Sequence, residues 1–246
     1  MMQLITMGVV VALMTANPLM SMAISDGNIT LTPPPPVKPK VLGIAFGAPA
    51  KDIVSLMQSQ SIGVRTQKTM DVHGVTKLLV FNGIPEGVAV KTGASQFFFF
   101  RERLIRMTFD LPPSYSSFLE LRNQLFSSLD DQYYIVEKKE SMDAHLRMRL
   151  SSVDRTTFKE DAEKLINASI IEGKTFFYYQ IKDRAGELVI TLAYMHDHTT
   201  AGQEPSLSLH YDHTPGITKY EAFQEQYRCD NPSAVGGMQS LTPQAK

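Results

Sequence analysis

The sequence predicts an α+β protein in which antiparallel sheet packs with three to four amphipathic helices. Three observations lead there. Apolar side chains recur at helical spacing in four separated stretches, and alternate with polar ones in the shorter stretches between them. The connections are brief and turn-bearing, which favours antiparallel neighbours, and the strands lack the one-for-one alternation with helices of a parallel sheet. The composition, 43% hydrophobic and 20% charged over 246 residues, is that of a chain able to bury a core.

Val41-Leu42-Gly43-Ile44 begins the folded part, and Phe46-Gly47-Ala48-Pro49 turns the chain, with Pro49 placed to open a helix. Ile53, Leu56 and Met57 form one face of that helix, and Ser61-Ile62-Gly63-Val64 ends it. From Val64 to Leu111 the pattern is β, with strands expected at Val64–Met70, Lys77–Phe81, Gly87–Val90, Ser95–Phe100 and Arg103–Leu111. Arg101-Glu102 reads as a hairpin turn. Beyond it Ile105, Met107 and Phe109 alternate with Leu104, Arg106 and Thr108, so the first set forms the more apolar face. Four consecutive phenylalanines, Phe97–Phe100, cannot share one side of a strand, so they predict a strand covered on both sides. The charges of Arg101, Glu102 and Arg103 beside them act as gatekeepers against aggregation.

Pro112-Pro113-Ser114 breaks the sheet, and Phe118, Leu121, Leu125 and Leu129 then recur at helical spacing. Tyr133–Lys138 and His145–Leu150 read as another strand pair. Phe158, Ala162, Leu165, Ile166 and Ser169 predict the next helix. Strands follow at Lys174–Ile181, Glu187–Met195 and Ser206–Tyr211, the first two joined by the turn Asp183-Arg184-Ala185-Gly186. Ile217–Tyr227 suits a last helix, and residues 229–246 read as a flexible tail. The α+β domain therefore spans 41–228, and the recurrence of a helix before a meander allows two related halves, 41–112 and 113–228.

Residues 1–25 carry no charged side chain, and Leu4–Met14 is an apolar run of signal-peptide length, shorter than the ~20 residues that span a bilayer. Ser21-Met22-Ala23 offers small residues for cleavage after Ala23. Residues 24–40, with Pro33–Pro36, read as a Pro-rich linker in extended conformation. The expected product is periplasmic or secreted, without stable membrane insertion after cleavage. Cys229 is the single cysteine, which excludes an internal disulfide and a cysteine-based zinc cluster.

Lys+Arg 24 against Asp+Glu 25 leaves a formal charge of −1, so no field draws the chain to nucleic acid. No Walker loop, dinucleotide fingerprint, His-Glu-x-x-His helix or Gly-x-Ser-x-Gly elbow occurs, and no cofactor is expected. The one cluster with coordinating chemistry is His196-Asp197-His198 with His210-Tyr211-Asp212-His213. His-x-His on a strand places two imidazoles on one face, and a hairpin could add a third, giving His196, His198 and His210 as a metal set. Parity opposes it. Leu188, Ile190, Leu192 and Tyr194 share the face of His196, whereas Leu207, Leu209 and Tyr211 leave His210 and Asp212 on the other.

The motif series resembles a group of exported bacterial proteins of unknown function. It comprises Leu42–Gly47 before a helix, Phe97–Phe100, Arg101–Arg103, Leu104–Phe109, the helix Phe118–Leu129, Lys182–Gly186 and Ser206–Asp212. The helix-plus-meander order is similar to the SmpA-like and β-lactamase-inhibitory-protein-like folds, though the lipoprotein cysteine is missing. That resemblance implies a concave sheet offered to a protein partner. Taken together, the expectation is an exported, soluble, non-enzymatic protein-binding or envelope-assembly module, with an inhibitor or immunity-like role within that class. Its partner would be another envelope or secreted protein. The alternative is a metal-dependent exported hydrolase using the hairpin 196–213.

Overall fold

Every strand pairing among the described residues is antiparallel, as the brief turn-bearing connections imply. The computed structural model describes residues 24–25, 28–29, 39–69, 74–152, 158–196 and 204–230. The expected signal segment 1–23 with Ala23, most of the linker, His198 and residues 231–246 lie outside these. The strands are β1 (Ile24–Ser25), β2 (Asn28–Ile29), β3 (Lys40–Val41), β4 (Ile44–Ala45), β5 (Val64–Thr69), β6 (Thr76–Phe81), β7 (Ala94–Phe100), β8 (Arg103–Leu111), β9 (Tyr133–Ser141), β10 (Phe176–Asp183), β11 (Leu188–His196) and β12 (Pro205–His213). The helices are α1 (Ala50–Ser59), α2 (Tyr115–Ser128), α3 (Ala144–Ser152), α4 (Phe158–Ile171) and α5 (Thr214–Asp230). No described helix is long and apolar enough to cross a membrane.

The main sheet has eight strands in the order β5-β6-β7-β8-β12-β11-β10-β9. It is two four-stranded meanders, and they meet where β8 pairs with β12. Period-two alternation sends one set of side chains to each face. Leu79, Phe81, Phe97, Phe99, Met107, Phe109, Leu192, Tyr194, Leu209 and Tyr211 form the main core with Ile53 and Met57 of α1, Phe118, Leu121 and Leu125 of α2, Leu146 of α3 and Ile166 and Ile170 of α4. Phe98, Phe100 and Ile105 point the other way and meet Tyr220 of α5. The phenylalanine quartet is thus buried on both sides, as its composition requires.

Side-chain caps pin the helices to this core. Ser114 Oγ accepts from Ser117 N at 3.0 Å, and the Glu163 carboxylate of α4 accepts from Tyr115 N and Ser116 N, so α4 satisfies the free N–H groups that open α2. Tyr194 OH donates to Asn167, whose amide reaches Pro113 O at 3.3 Å, tying sheet, α4 and the break before α2 together.

Four expectations are corrected. His145–Leu150 is part of α3 and not a strand. Asp143 begins it, accepting from Arg147 N through its carbonyl and from His145 N through its carboxylate, and Leu146 and Leu150 then lie one turn apart on the core side. This helix also raises the described helices from the expected three to four to five. Gly87–Val90 makes no strand: Val88 and Val90 are buried, but Ala89 N donates to Gln124 Oε1 at 2.7 Å and Gln124 Nε2 donates to Gly87 O. A glutamine side chain replaces the ladder there. In β8 a bulge opposite Phe98 and Phe99 makes Ile105 the extra residue. Leu104 therefore joins Met107 and Phe109 in the main core, and Ile105 turns to α5. Finally, the last helix is longer than the expected Ile217–Tyr227, since α5 runs from Thr214 through Asp230.

Candidate functional site

The two sides of the sheet carry different chemistry. The main-core side is apolar and covered by helices α1 to α4. On the other side, α5 covers Phe98, Phe100 and Ile105, and the strands beyond present polar side chains in register. One row across the sheet runs Gln180, Thr191, His210, Thr108, Gln96. The next runs Lys182, Val189, Asp212, Arg106, Phe98. A third runs Tyr178, Ala193, Ser208, Asp110, Ala94.

These rows are cross-linked. Arg106 grips Asp212 with two parallel bonds, Nε to Oδ1 and Nη2 to Oδ2, the second at 2.8 Å. The two side chains are only 13% and 18% exposed, so this pair is shielded from salt far better than a surface bridge. His210 Nδ1 lies 3.0 Å from Thr108 Oγ1 and Nε2 lies 2.9 Å from Ser208 Oγ, which uses both ring nitrogens. Thr191 bonds the Tyr178 hydroxyl, which Gln180 also reaches at 3.4 Å. Gln96 donates to Asp110. The result is a polar strip running from β7 across the seam to β10.

Burial pushes the His210 imidazole down to about 4; the Asp212 carboxylate pulls it up and the Arg106 guanidinium adds to the fall. His210 is therefore neutral at neutral pH, one nitrogen donating and the other accepting. Burial raises the Tyr178 phenol, helped by Glu137 and opposed by the Thr191 bond and Lys139, so Tyr178 is a neutral donor and acceptor.

The Ser208–His210 distance is that of a nucleophile–base pair. Its surroundings do not suit that chemistry. A base near 4 is mostly too weak to take a serine proton at neutral pH. Ser208 also sits mid-strand in β12, paired with β11 on one side and β8 on the other. The backbone N–H groups around it serve the ladder and are not free to hold an oxyanion. The strip is chemically suited to hydrogen bonding.

The predicted metal set is not brought together among the described residues. His196 is opposite Pro205 and shares the side of Tyr194, while His210 is opposite Thr191 on the other side. The two imidazoles project from opposite faces, as the parity of the sequence required, and His198 lies outside the described residues. His213 is spent elsewhere, its ring stacked on Phe46 at 5.6 Å. No group of three or more potential metal ligands occurs among the described residues.

Sequence reasoning placed His210 and Asp212 on the non-core side but missed Arg106, Thr108 and Tyr178 as their company. The alternation of Arg106, Thr108 and Asp110 with Met107, Phe109 and Leu111 is visible in the chain. What is invisible is that β8 pairs with β12, a contact spanning 106 residues at Arg106–Asp212. No protein family, curated protein or solved structure matches the chain.

Proposed function

We propose that the protein is a binding module, exported and non-enzymatic, that meets another envelope or secreted protein through the polar side of its sheet. One observation carries the reading: α1 to α4 contribute to the core on one face alone, leaving on the other an ordered hydrogen-bonding strip around Arg106–Asp212, His210 and Tyr178. Side chains already held by their neighbours lose little freedom on binding, which favours affinity. The apolar segment Leu4–Met14 followed by small residues at Ser21 and Ala23 supports export.

The test compares two strip variants and one control variant, each first checked by circular dichroism to fold as the unaltered chain does. Gln180→Lys and Tyr178→Lys place new charges on the strip, and Lys164→Glu alters an exposed residue of α4 on the opposite side. Tagged chain from the native host should recover a partner with the unaltered and Lys164→Glu forms and lose it with the strip variants. Equal recovery by all four sinks the proposed surface. Export is checked separately by sequencing the N-terminus of native material, which should begin at Ile24.

A further inference from the structure

The last helix stands apart from the rest of the packing. α5 follows β12 without an intervening residue and folds back over the polar side of the sheet. Tyr220 contacts Phe98 and Phe100 edge-on at 5.2 and 5.6 Å, and Phe223 lies 5.4 Å from Phe100. With Ile105, Ile217, Val75 and Leu78 these form a cluster separate from the main core. Every other described helix contributes to that main core, so lifting α5 leaves it untouched.

The junction is also imperfectly fitted. Thr214 Oγ1 is buried without a hydrogen-bond partner among the described residues, which penalises the closed arrangement. Gly216 permits the close approach: a Cβ there would stand 2.5 Å from Ile105 Cγ2 and 3.0 Å from Ile105 Cβ. The helix carries no acidic residue in its first turn to complement its dipole.

We propose that α5 is a detachable cover of the docking side. Leaving the sheet, it exposes Phe98, Phe100 and Ile105 as an apolar extension of the polar strip. The uncovered patch then takes an amphipathic helix of the partner whose apolar residues repeat the spacing of Ile217, Tyr220 and Phe223, the chemistry α5 itself shows the patch to fit. This rests on the polar side being the docking surface, but its test needs no partner, so the two readings fail separately.

Hydrogen exchange on the full chain supplies the first readout. Amides of α5 should exchange about 100-fold faster than those of β7 and β12, as a separately opening unit does. Gly216→Ala supplies the second. By helix propensity alone it stabilises α5, whereas the contact with Ile105 pushes the helix off the sheet. The expected result is at least about 10-fold faster exchange confined to α5, together with binding of a labelled peptide of residues 214–230 that the unaltered chain binds weakly. The proposal is overturned if α5 exchanges with β12, if Gly216→Ala slows or leaves α5 exchange unchanged, if it accelerates sheet and helix alike, or if the peptide fails to bind the variant.

Discussion

Removing one member of the Arg106–Asp212 pair should harm the fold more than removing both. The guanidinium and carboxylate make two charge-assisted bonds and are 13% and 18% exposed. Arg106→Met leaves Asp212 as an uncompensated, mostly buried charge, and Asp212→Leu takes both of these charge-assisted bonds from Arg106. Each should cost about 3 kcal/mol, the lower end for breaking a buried pair because some water still reaches both groups. The double variant replaces the pair with apolar side chains beside Val189 and Phe98, its neighbours in the same row. It should fall within about 1 kcal/mol of the unaltered chain, where simple addition requires about 6 kcal/mol. Urea unfolding at neutral pH measures this, with thermal melting as a check; a loss of 3 kcal/mol corresponds to roughly 6–12 °C in a chain of this size. Single variants each within about 0.5 kcal/mol of the unaltered protein, with the double equal to their sum, would show that the pair is solvated and refute the reasoning.

His210 makes stability depend on acid. The unfolded imidazole gains its proton near 6.5 and the folded one resists until about 4, so the unfolded chain is the more protonated between those values. Stability should fall as pH drops through that window, by roughly 3 kcal/mol in all; His210→Gln should flatten the slope, and an unchanged slope refutes the assignment. The turn residues Arg101 and Glu102 both have positive φ, +49° and +60°. Arg101→Asn should therefore stabilise the hairpin by about 0.5 kcal/mol after the contact of Arg101 over Phe100 is lost; a clear loss in urea unfolding contradicts this. Phe97→Ala removes a fully buried ring packed edge-on against Phe81 and Phe109, and should cost about 3–5 kcal/mol by the same assay. A cost under 1 kcal/mol would mean that the ring is not in the core.

Local signals in the chain were enough for most elements. Ile53 and Met57, Phe118, Leu121 and Leu125, and the Phe97–Phe100 run each report their burial through spacing alone. The failures share a cause: an alternative partner for the backbone or a misplaced step in the alternation. Leu146, Met148 and Leu150 alternate like a strand, yet Asp143 starts a helix and Met148 faces water at 70% exposure. Val88 and Val90 alternate too, but Gln124 takes the bonds a neighbouring strand would have made. The bulge at Ile105 shifts one residue across the sheet. The polar strip was legible only in halves, because each half lies in its own meander and only the pairing of β8 with β12 assembles it.

That seam has a kinetic consequence. Within each meander the paired strands are consecutive in the chain, and even the longest connection, from β9 to β10 through α3 and α4, is shorter than that of the seam, which waits for residues 106 positions apart to find each other, and contacts of such separation are slow to form. During synthesis at about 5–20 residues per second, the bare rim of β8 would stay open for roughly 5–20 s before β12 exists. Throughout that interval Met107 and Phe109 border an unfilled edge, the point at which a newly made chain would be most prone to pair with the wrong neighbour.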